Sequence, residues 1–205
     1  MFGAQTDDFE SYDVATGSAD QSLTFNSTVG TFSVNAGDTG TGGACNNNGF
    51  SCAAGLAVLD HDASPFNGRF NTSPDFGDPK VGQWLDSMDA KVMTFVPLAG
   101  HSAIGFYMTD PNDARGRFDI KDVQGGTSTL DFNDIFGSAL GNGRVFYITL
   151  VDPNGIDSFS IHTNNSDDGY GIDGMTVARA VPAPGALALI GLGLLGMGLI
   201  RRRKA

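Results

Sequence analysis

Residues 144–162 read RVFYITLVDPNGIDSFSIH. Val145, Tyr147, Thr149 and Val151 alternate with Phe146, Ile148 and Leu150, so a strand over 144–151 shows the two sets on opposite faces. Both faces are largely apolar, which predicts a central strand in a layered fold. Asp152-Pro153-Asn154-Gly155 then reverses the chain: Pro presets φ, Asp hydrogen-bonds its own backbone and Gly accepts positive φ. A second strand over 156–162 completes a hairpin.

Working outward, residues 103–109 repeat the alternation, with Ile104, Phe106 and Met108 on one face. Further strands are expected at 23–25, 31–34, 56–59, 91–96, 117–120, 129–132 and 171–177, with 60–90 as a long connection. Gly/Asn/Asp clusters at 110–113, 125–126, 141–143 and 167–169 supply the turns. Twenty-nine glycines and fifteen phenylalanines suit short strands with rings filling the space between sheets. The spacing predicts an all-β fold, an antiparallel jelly-roll-like β-sandwich.

The composition changes abruptly at the C-terminus. Val181, Pro182, Ala183 and Pro184 precede an uncharged apolar run over 185–200, and Arg201, Arg202, Arg203 and Lys204 follow it. As a helix that run reaches ~24 Å at ~1.5 Å per residue, close to a hydrocarbon core of ~30 Å. A single C-terminal transmembrane helix is therefore expected, with the cations holding the tail on the cytoplasmic side. Residues 6–180 form one body domain and 181–205 the tail. Residues 1–5 read as the remnant of a signal peptide, since no charged and apolar leader precedes Asp7 and Asp8. The body to Ala180 carries 8 basic and 23 acidic residues, a net charge of −15. Such a surface repels phosphate backbones and excludes nucleic acid as a partner.

The order of parts at 181–205, a short Pro motif (181–184), a Gly/Leu/Ala helix (185–200) and a basic stop (201–204), resembles the PEP-CTERM sorting signal of Gram-negative bacteria. The commonest form has Glu where Ala183 stands. The resemblance implies export, transient anchoring in the inner membrane, and cleavage by an exosortase that releases the body to the cell surface or the extracellular matrix. The same segment occurs on some ice-binding proteins. The stretch from Phe95 to Val177 also resembles the body domain ahead of many such tails, and DDFES and GIDGMTV are similar to the first and last strands of jelly-roll carbohydrate-binding modules. That second similarity implies a structural calcium, held by Glu10 in the first strand and Asp173 in the last; Ca²⁺ takes several hard oxygen ligands. The competing reading is two solvated carboxylates in an acidic protein.

Cys45 and Cys52 share the loop ACNNNGFSC. No second pair of soft ligands accompanies them, as structural zinc would need, so a disulfide is expected, worth ~2.5 kcal/mol for closing so short a loop. Asp152, Asn154 and Asp157 lack the spacing and closing Glu of an EF-hand and read as turn residues. His61, flanked by Asp60 and Asp62, and His101 and His162 read as exposed loop residues, so no catalytic residue is assigned. Gly191, Gly193 and Gly196 satisfy GxGxxG only inside the terminal apolar run, where the strand-turn-helix context is missing. Ring faces stack on pyranose C–H surfaces, which makes Trp84, Tyr107 and Tyr170 candidates for sugar binding, although core packing explains Trp84 and Tyr107 better.

The sequence thus predicts a non-enzymatic exported protein, adhesive or carbohydrate-binding, with an exosortase, the inner membrane and extracellular polysaccharide as partners and no cofactor beyond the candidate calcium. An ice-binding body is disfavoured because no repeated Thr-x-Thr rows occur. A secreted polysaccharide hydrolase is disfavoured because no convergent acid/base set is visible.

Overall fold

The computed structural model describes residues 2–37, 49–60, 82–98, 100–109, 116–137, 145–164 and 169–179. Its strands are β1 (Phe2–Asp7), β2 (Thr24–Asn26), β3 (Gly30–Val34), β4 (Ala57–Asp60), β5 (Gln83–Asp86), β6 (Val92–Pro97), β7 (Ala103–Thr109), β8 (Gly116–Asp122), β9 (Thr127–Asp131), β10 (Val145–Val151), β11 (Ile156–Thr163) and β12 (Gly171–Arg179). They build two antiparallel sheets. The first runs β10-β7-β12-β5-β4, with β1 also paired to β12; the second runs β2-β3-β6-β11-β8-β9.

Alternation explains the layering. Ile104, Phe106 and Met108 of β7, Ile148 and Leu150 of β10, and Ile172, Met175 and Val177 of β12 all enter the core between the sheets. Phe32, Met93, Phe95, Phe118, Phe159 and Ile161 reach them from the second sheet. Phenylalanine rings carry the contact across: Phe106 stacks on Phe159 at 5.3 Å and meets Phe118 edge-on at 6.1 Å, while Phe95 lies 4.5 Å from Phe32 and 5.7 Å from Phe159. Such pairs add ~0.5–1.5 kcal/mol each beyond the area they bury.

The structure departs from the sequence reading in four places. β10 is an edge strand rather than a central one, and its second apolar face, with Tyr147 and Val151, looks outward. The connection over 60–90 contains β5, whose Trp84 and Leu85 are buried. Residues 2–7, of which 2–5 had read as leader remnant, form β1, with Phe2 opposite Arg179 and Asp7 opposite Met175. Asp7 fixes that end: its carboxylate accepts hydrogen bonds from Phe9 N, Tyr12 Oη, Thr28 N and Thr28 Oγ1. Finally, Phe132 opens a short helix, α1 (Phe132–Phe136), because Asp131 caps it by accepting from Asn133 N at 2.8 Å. The transmembrane helix expected over 185–200 lies outside the described residues, and no described helix is long and apolar enough to cross a membrane.

Candidate functional site

A second apolar cluster, Ala15, Phe50, Cys52, Ala57, Leu59, Trp84 and Met88, packs on the outward side of β4 and β5. It roofs one half of the first sheet's outer face; on the β10-β7-β12 half Tyr147, Thr149 and Val151 are exposed while Asp173 is buried. Cys52 is buried there and disulfide-bonded. Cys45, the chain's one other cysteine, lies outside the described residues.

On the β10-β7-β12 half the register sets residues in two ranks. Tyr147 stands opposite Tyr107 and Tyr107 opposite Asp173; Thr149 stands opposite Gly105, Gly105 opposite Thr176, and Thr176 opposite Thr6. Tyr107 and Tyr147 meet edge-to-face, centroids 4.8 Å apart and planes at 63°. Tyr147 is 53% exposed, whereas Tyr107 is half-buried.

Two glycines make the bed for these rings. A Cβ on Gly105 would collide with the Tyr147 hydroxyl, so the missing side chain lets Tyr147 lie across β7. Gly174, at φ +57, sits in the bulge of β12 between Asp173 and Thr176, and a Cβ there would stand 3.1 Å from the Tyr107 ring. Beside the rings, Thr6 Oγ1 and Thr176 Oγ1 share a hydrogen bond of 2.8 Å, and Thr149 is exposed. The arrangement offers one exposed ring, that of Tyr147, with hydroxyls beside it. Asp173 beside them is buried and accepts from Gly174 N.

The other residues singled out in the sequence are placed elsewhere. Trp84 is fully buried, its indole N–H donating to Asp86 Oδ2 at 3.1 Å. Tyr170 is buried as well, so neither ring can meet a ligand in solution, and burial pushes the Tyr170 phenol well above its ordinary pKa. Glu10 Oε1 accepts from Gln83 N at 2.8 Å, tying the segment after β1 to the start of β5. Among the described residues no group of three or more His, Cys, Asp or Glu side chains is disposed to hold a metal ion. Asp152 closes its turn by accepting from Asn154 N and Gly155 N, and Asp157 pairs with Lys121 at 3.0 Å. His101 Nδ1 bonds Leu98 O. His162 lies on the second sheet, its Nε2 2.9 Å from Asp119 Oδ2; burial and the nearby Arg117 lower its pKa, and Asp119 opposes them. His61, the residues 181–184 and 201–204, and the glycines at 191, 193 and 196 are outside the described residues. Tyr147 was missed because its alternation fits a central strand equally well; the outward Thr149 and Val151 beside it were the available signal.

Fold and face together describe a two-sheet antiparallel β protein with an exposed tyrosine, Tyr147, packed on Tyr107 at the outer face of one sheet. Residues 180–204 match the PEP-CTERM protein-sorting motif, so the chain carries that sorting signal at its C-terminus. No curated protein matches the chain. Among solved structures it is similar to the K2 cleaved adhesin domain of Lys-gingipain, with 12% identity over 86% of this chain and 100% of that one and a TM-score of 0.46. It is also similar to the K1 cleaved adhesin domain of Lys-gingipain from Porphyromonas gingivalis W83, at 12% identity, 74% and 100% coverage and a TM-score of 0.32. A family 11 carbohydrate-binding module from Clostridium thermocellum matches at 14% identity, 62% and 97% coverage and a TM-score of 0.27. With TM-scores below 0.5, none of these three bears on the ligand.

Proposed function

We propose that this chain is a non-enzymatic exported protein of a Gram-negative bacterium, held in the inner membrane through a helix over 185–200, processed by an exosortase near 181–184, and delivered to the surface or the polysaccharide matrix. Its jelly-roll-like body binds glycan on the Tyr107–Tyr147 face. The sorting motif at 180–204 supports the route. The observation that carries the binding role is the exposed Tyr147 ring laid over Gly105, on the outer face of the first sheet. A large aromatic ring left on a surface, with a glycine beneath it and hydroxyls beside it, suits the apolar face and the hydroxyl edge of a pyranose.

Two measurements test the two halves. Mass spectrometry of protein recovered from the cell surface should find a C-terminus near Pro182; intact Ala205 on all of it would defeat the processing claim. Glycan-array binding by the wild-type chain should be lost in Tyr147→Ala. Binding that survives the substitution would place the site elsewhere.

A further inference from the structure

Sheets end in strands with unpaired backbone donors and acceptors, and natural proteins cover such edges or break them with Pro, Lys, bulges or shortness. The edges here are treated unequally. β4 is covered where Ala15 N donates to Val58 O at 2.8 Å. β2 has three residues and continues into a bridge between Ser22 and Leu56. β10 hides Ile148 and Leu150 in the core and shows only one face.

β9 differs from all of these. Among the described strands it ends the second sheet, and each of its five residues, Thr127, Ser128, Thr129, Leu130 and Asp131, is exposed. It pairs with β8 in unbroken register from Arg117–Asp131 to Lys121–Thr127, without a bulge. The strand holds no Pro and no Lys, and it is uncharged up to Asp131. Leu130 on the strand is 39% exposed, and Ile135 on α1, which follows β9 directly, is 46% exposed.

We propose that β9 is the contact through which two copies of this chain associate, edge to edge and antiparallel, about a two-fold axis at Thr129. The sequence of the strand is complementary to itself in that register. Thr129 meets Thr129, Ser128 meets Leu130, and Thr127 meets Asp131, so no carboxylate faces a carboxylate and the one charged group is set against a hydroxyl. An isologous pairing of this kind closes on itself and satisfies the free edge of both copies. Leu130 and Ile135 give the pair apolar surface to cover. Five residues of shared ladder make a small interface, so the association is weak and concentration-dependent. A second copy is the occupant favoured here because an unrelated strand gains nothing from the match of Thr127 with Asp131.

Cysteine cross-linking of the full chain tests the register. At the axis two Cα atoms stand ~4.5–5.5 Å apart, within disulfide reach, whereas two residues at 127 are separated by about four residues of strand, ~13 Å. Mild oxidation of Thr129→Cys should give a dimer linked through 129, at least fivefold more of it than Thr127→Cys gives, and none in the wild type. A separate variant, Thr129→Lys, sets two ammonium groups face to face on an exposed edge. It also removes the hydrogen bond from Thr129 Oγ1 to Asp119 Oδ1, so the melting temperature should stay within a few degrees while sedimentation shifts towards the monomer. Equal cross-linking at the two positions, cross-linking no greater than wild type, or sedimentation that Thr129→Lys leaves unmoved would each overturn the proposal.

Discussion

Asp86 is buried at the end of β5, where its carboxylate accepts from Trp84 Nε1 at 3.1 Å and from Met88 N at 2.7 Å. Burial raises its pKa from 3.8 to about 6; the two hydrogen bonds oppose the rise and Asp89 adds to it. A carboxyl group with a raised native pKa is held best when protonated. The folded state then binds the proton more tightly than the unfolded state, so stability falls as pH rises through the window from about 4 to about 6. A shift of about two pKa units corresponds to about 3 kcal/mol, lost across that window and still missing at neutral pH. Asp86→Asn removes the charge and keeps the shape, at the cost of ~1 kcal/mol because one of the two N–H donors must face the amide NH₂. The variant should therefore gain about 2 kcal/mol over the wild type above pH 6 and fall slightly below it at pH 4. Urea unfolding of both proteins from pH 4 to pH 8, with the disulfide intact, reads this directly. Parallel stability curves across the range would refute the reasoning.

Three further outcomes follow from the same geometry. Gly105→Ala meets only the movable tip of Tyr147, so it should change the melting temperature by no more than a few degrees while lowering glycan affinity about tenfold, the equivalent of ~1.4 kcal/mol; equal affinity in calorimetry would detach Tyr147 from binding. Glu10→Ala strips Gln83 N of its acceptor and should lower stability by ~1 kcal/mol, equally in calcium and in chelator; a loss confined to calcium would make Glu10 a metal ligand instead. Asp7→Ala leaves Phe9 N without its acceptor and Thr28 N with only the Tyr12 hydroxyl at 3.2 Å, and should destabilise by about 2 kcal/mol in thermal melts; a change below 1 kcal/mol would contradict that role.

Ten of the twelve described strands were legible, because their alternation and the turns between them are local. β1 and β5 were not. β5 is four residues inside a stretch rich in Gly, Asp and Pro, and β1 takes its place from a partner some 170 residues away, information no window contains. The same limit shaped the reading of the aromatic residues. An apolar face on β10 signals a central strand when a neighbour covers it and a binding surface when none does, and only the strand order distinguishes the two. Trp84 and Tyr170 lie under covering residues from distant parts of the chain, whereas the Gly105–Tyr147 match depends on the β7–β10 register. The sorting signal was fully legible, being a contiguous run of composition.

The position of β12 has a consequence for assembly. Among the described strands it alone joins the β7–β10 pair to the β4–β5 pair, and it also receives β1. Without residues 171–179 the two pairs share no ladder, so the first sheet closes only with the last strand of the body. The sorting motif at 180–204 follows that strand directly, so the last seam of the body and the signal are neighbours in the chain.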